Sequence, residues 1–178
     1  MPGPLSKPET LSLEAALHCA LMRHFLSHSV GGPYEALGMT RLQVIPKGPV
    51  VEPLWQEVVS GLARDMALIL MVPAASEGMQ WEVRHLVHEN LIGRLVVVMV
   101  PETADPDGAA HAWQRARGAC AESGLRLPPY RAGGAFVFFG ETGAVRDELP
   151  FRGLWDGELT GACLRHVHRN PNEAAPGR

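Results

Sequence analysis

Apolar positions along the chain recur in two rhythms. Leu13, Ala16, Leu17, Ala20, Leu21 and Phe25 fall three and four apart. That spacing predicts an amphipathic helix with Ser12 as its N-cap, stopped by Gly31-Gly32-Pro33. Two short extended candidates follow, "YEALG" and "RLQVI", then a Pro/Gly loop, "PKGPVVEP". "LWQEVVSGLARD" predicts a second helix with Leu54, Trp55, Val58, Val59 and Leu62 turned inward. "MALILMV" breaks the rhythm with a continuous apolar run, the pattern of a strand covered on both faces. Helical spacing returns in "SEGMQWEVRHLVHENLIG", with Met79, Val83, Leu86, Val87 and Leu91 inward and Gly93 as the closing residue. "RLVVVMV" is a second buried strand, and "GAAHAWQRARGACAESG" a helix ended by Gly124. "GGAFVFFG" is a third buried strand, "LWDGELTGACLRHVHR" a last helix, and "NPNEAAPGR" a polar tail.

Strands alternating with helices predict βαβ units. The expected fold is α/β: a three-layer, flavodoxin-like domain with a mostly parallel sheet of four or five strands. It spans residues 12–169, between a disordered lead (1–11) and a disordered tail (170–178). In such folds ligands bind outside the carboxyl ends of the strands. Two loops therefore stand at the functional edge, "VPAASEG" after Val72 and "PETADPDG" after Val100.

Composition narrows the function classes. The 178 residues are 46% hydrophobic and 20% charged, with a net charge of -3. That balance argues against a nucleic-acid binder working through a broad basic face. No apolar run reaches the ~18 residues of a membrane span, and no export signal is visible. Three scattered cysteines, Cys19, Cys120 and Cys163, form neither a disulfide framework nor a CxxC metal motif. They point to a reducing, cytoplasmic setting. His24 with His28, and His85 with His88, each share a helix face, but two ligands do not make a metal site, so none is expected. Trp113 and Trp155 read as packing residues, and His166, His168 and Arg165 as solvated. Arg41 and Lys47 read as surface charge.

One further pattern carries chemistry. Gly32-Pro33-Tyr34-Glu35-Ala36-Leu37-Gly38, then Trp55-Gln56-Glu57-Val58-Val59, then "ALILMVPAASEGMQWEV", "GRLVVVMVP" and "AFVFF" occur in that order. In this order the chain resembles a TIR-like (Toll/interleukin receptor-like) domain of bacterial proteins, over residues 12–145, without a recognisable first strand. The resemblance implies a signalling or defence-type domain that oligomerises and cleaves or binds NAD-type nucleotides. It places the catalytic carboxylate at Glu82, early in the helix after the first buried strand. Ser76, Glu77 and Trp81 stand beside it as substrate-binding candidates, Ser76 for ribose and Trp81 as a pocket wall. NAD would be substrate, and no cofactor is implied. The chemistry is coherent: cleaving the nicotinamide–ribose bond builds oxocarbenium-like charge that a nearby carboxylate stabilises.

The same residues have plainer readings. Ser76 suits a helix N-cap, and Glu77 and Glu82 suit a helix start through the macrodipole. Two functions therefore stand side by side. One is an NAD nucleosidase acting through Glu82 and switched on by assembly. The other is a non-catalytic protein-interaction or nucleotide-sensing module. A sheet without its first strand also predicts that the Tyr34–Leu37 segment enters the sheet, and that the chain forms a homodimer or larger assembly.

Overall fold

The computed structural model describes residues 52–103, 108–151 and 157–169, all within the unit Val50–Arg178. The helix expected from Ser12, the segments "YEALG" and "RLQVI", and Arg41, Lys47 and Trp155 lie outside them, as do His24, His28 and Cys19.

The described elements are α1 (Glu52–Asp65), β1 (Ile69–Met71), α2 (Glu77–His88), a 3-10 turn (Ile92–Arg94) and β2 (Leu95–Met99). Then come α3 (Ala109–Glu122), β3 (Ala135–Phe139), β4 (Val145–Pro150) and α4 (Gly157–His168). The described strands form one sheet in the order β1-β2-β3-β4. Leu95, Val97, Met99, Ala135, Val137 and Phe139 join one core with Ala63 of α1, Val83 and Leu86 of α2, and Trp113 and Cys120 of α3. On the opposite face, Phe138 meets His166 of α4, their ring centroids 5.2 Å apart. Helices thus lie on both faces, which is why every residue of β2 and β3 is buried.

The expectation of a mostly parallel sheet is corrected. Only β1 and β2 are parallel; β2–β3 and β3–β4 are antiparallel, so the sheet is mixed. The reason lies in the segment after α3. Its path is fixed by Trp113 Nε1 donating to the Pro128 carbonyl (3.0 Å) and Arg117 Nε to that of Leu127 (3.2 Å). It then returns to the carboxyl end of β2, where the Tyr130 hydroxyl donates to the Val100 carbonyl (3.1 Å) and Glu102 N to that of Ala132 (2.8 Å). Gly134 follows with φ +67, pressed so close that a Cβ would stand 2.6 Å from the Met99 carbonyl oxygen. Strand β3 therefore starts where β2 ends and must run the other way. Continuous apolar runs report burial on two faces, not direction.

Strand β4, "VRDELP", was not expected. It is polar because it is an edge: among the described residues it pairs only with β3, and Pro150 ends it. Gly140 N donates to the Ala144 carbonyl (2.9 Å) to close the hairpin, with Gly143 at φ +75.

Helix ends follow side-chain chemistry. Gly124 (φ +94) ends α3 as expected, with Leu125 N bonded to Cys120 O and Gly124 N to Ala121 O. The same double bond ends α2, but at Asn90 (φ 57) and not at Gly93, which is buried in the 3-10 turn. Val87, expected inward, is 37% exposed. Helix α1 ends against the buried Arg94, whose Nη1 donates to the carbonyls of Arg64 (2.8 Å) and Met66 (3.0 Å).

Candidate functional site

The residues singled out by sequence lie on α2 and the loop before it, at the carboxyl end of β1. Ser76 is the N-cap, its Oγ accepting from Met79 N at 3.3 Å. Glu77 is the first helical residue and is exposed, a position favoured by the helix dipole. Trp81 is packed between two rings. Trp55 of α1 lies 5.0 Å away and tilted, and His85, one turn on, lies 5.1 Å away and nearly coplanar at 4°. The edge of Trp55 also lies over Gly78, 3.7 Å from where a Cβ would stand, which is ordinary contact distance.

Glu82 belongs to the same side of α2. Gly78, Glu82, His85 and Glu89 recur four, three and four residues apart. Trp55 covers the first, and Arg64 of α1 binds the last through Nε (3.1 Å) and Nη2 (3.0 Å). Glu82 therefore stands on the α1-facing side, about 7.5 Å along the axis from the helix start. Burial pushes its carboxyl up to about 7. Among the described residues no cation or hydrogen-bond donor meets it to pull that value back. Glu89 is the contrast: its bonds from Arg64 and His88 hold it below the usual carboxylate range.

The arrangement thus brings Glu82 and Trp81 into one seam and leaves Ser76 and Glu77 at the helix start. Chemically, Glu82 is an acid that exchanges its proton near neutral pH beside an aromatic trio. Sequence reading did not connect Trp55 or His85 with Trp81. The i,i+4 spacing of Trp81 and His85 was the available signal for one of the two contacts. His85 and His88 do not act together: His85 stacks on Trp81, whereas His88 is exposed and meets Glu89 Oε1 at 3.3 Å. The thiols of Cys120 and Cys163 are buried, which pushes them to about 11 and about 12, so neither is a nucleophile at neutral pH.

The fold and this seam define a mixed α/β domain with a protonatable carboxyl group between two helices. No family model, no curated protein and no solved structure matches the chain. No described helix is long and apolar enough to cross a membrane.

Proposed function

We propose that this chain is a cytoplasmic signalling module of TIR-like type that works by assembly and protein contact, without turning over a nucleotide. The observation that carries the reading is the engagement of Trp81. The ring that the resemblance offers to a substrate is stacked on His85 and meets Trp55 of α1 at a tilt, an engagement that joins α1 to α2. Ser76 is likewise engaged, as the α2 cap. Support for the TIR-like class is confined to α1, β1, α2 and β2, the parallel unit; β3 departs from it.

A second reading, NAD nucleosidase activity, is favoured by one observation. Burial keeps Glu82 protonated up to about neutral pH, as a general acid requires, and the residue follows the β1 carboxyl-end loop. An etheno-NAD cleavage assay on concentrated protein, wild type beside Glu82→Gln, separates the two. The expected outcome is no release of nicotinamide above buffer from either protein. Turnover in the wild type that disappears in a folded Glu82→Gln protein would replace the first reading with the second.

A further inference from the structure

Strand β4 and helix α4 meet around a notch away from the α1–α2 seam. Arg146 and Asp147 of β4, and Arg165, His166 and Arg169 at the end of α4, line it, with Phe138 behind. Three arginines and one carboxylate thus line it; Arg146 has a partner of its own, and Asp147 Oδ1 accepts from the Glu148 N–H at 2.9 Å. Arg165 folds back along α4, its Nη1 3.2 Å from where a Cβ on Gly161 would stand, so the absence of a side chain there gives it room. The floor is His166, only 4% exposed, which corrects the expectation that it is solvated. One ring nitrogen bonds the Gly93 backbone. The other, Nε2, is buried with no partner among the described residues. Burying such a nitrogen unpaired is costly; with its fellow donating to Gly93 it is a bare acceptor, which pairs with an anion only once it takes up a proton.

We propose that this notch binds a phosphate-type oxyanion, with Arg146, Arg165 and Arg169 at the rim and His166 Nε2 at the floor. Planar guanidinium groups suit phosphoryl oxygens, and their clustering favours a doubly charged anion over chloride. The cavity is about 20 Å³. It admits one oxygen atom, so the rest of the anion stays at the mouth. Sequence reading missed the site because Arg146 belongs to an unexpected strand, while Arg165, His166 and Arg169 sit on a helix from the far end of the chain.

Binding makes a demand on His166. Burial and the nearby Arg146 lower its proton affinity, with the Gly93 bond opposing them, so the free protein holds it neutral at pH 7. Arg165, Arg169 and Asp147 are the other charged groups around it. An anion at Nε2 offsets the guanidinium field and favours the imidazolium, which then donates to the anion. Phosphate binding is therefore coupled to proton uptake.

The test is calorimetric titration of the full chain with inorganic phosphate at about pH 8.5, where the anion is already doubly charged and proton uptake reports on His166, in two buffers of different ionisation enthalpy. Saturable binding with net proton uptake is expected. Arg165→Ala with Arg169→Ala, both at exposed positions, should weaken it at least about tenfold, the loss of charge-assisted bonds. A parallel titration with a nucleoside monophosphate distinguishes the source. Tighter binding than phosphate assigns the phosphoryl group to a nucleotide, and equal binding to free phosphate. Absence of saturable binding, equal affinity in the folded double variant, or binding without proton uptake would each overturn the proposal.

Discussion

Glu82 exchanges a proton between two states of unequal cost. Its carboxyl sits near 4.5 in an exposed chain and at about 7 in the fold. The folded state therefore binds the proton more tightly. The stability this contributes is complete below pH 4.5, fades as pH rises toward 7, and is gone above it. Glu82→Gln keeps the shape and abolishes the titration. At pH 8 the variant is expected to be more stable than wild type by about 3 kcal/mol, with little difference at pH 4.5. Urea unfolding at both pH values checks this. His166 has the opposite sign. Its folded value is lowered from 6.5, so its contribution is lost as pH falls below 6.5. Taking the difference between wild type and variant removes that background, because the two residues lie on separate helices.

At the scale of elements, two residues hold the described sheet and its helices in register. Arg94, buried at the start of β2, closes the carboxyl end of α1 with bonds to the Arg64 and Met66 carbonyls. Arg94→Met retains the apolar stem and removes these bonds. It should cost about 2–3 kcal/mol and speed amide exchange in the last turn of α1, while the strands remain protected. Gly134 is the pivot of the β2–β3 reversal, at φ +67 with backbone inside the radius of any Cβ. Gly134→Ala strains the turn and pushes it away from the Met99–Pro101 backbone. A loss of about 2–4 kcal/mol is expected in thermal unfolding. Gly61 serves as a control, since nothing lies within 4 Å of a Cβ there. Gly61→Ala should stabilise α1 by about 0.5–1 kcal/mol.

For the whole molecule, the proposed mode of action is assembly. Sedimentation velocity at rising concentration is expected to show a dimer or larger species. A monomer at the highest concentration would remove assembly from the proposal. Much of the architecture was legible beforehand. Helices α1 to α4 fall where three- and four-residue spacing places them, and the apolar runs become β1, β2 and β3; β1, expected buried throughout, is three residues long with only Met71 fully buried. Strand β4 was not legible, because an exposed edge strand has no need of an apolar pattern. Ser76 was legible as a cap, since capping is a local bond. The tilted contact of Trp55 with Trp81 was not, since it depends on how α1 and α2 pack.

What the sequence determined by itself is local. Apolar spacing defined the helices, unbroken apolar runs marked strands β1 to β3, of which β2 and β3 are buried throughout, and Gly124 ended α3, because each depends on neighbours within a few positions. What only the tertiary structure decided is direction and company. The hydrogen bonds of residues 127–134 to α3 and to the end of β2 turn β3 antiparallel. Packing of α1 on α2 buries Glu82 enough to keep its proton near pH 7. The crossing of α4 over the β3–β4 hairpin gathers three arginines around a buried histidine. These outcomes arise between residues distant in the chain, where burial and charge are set by packing and not by the residues alone.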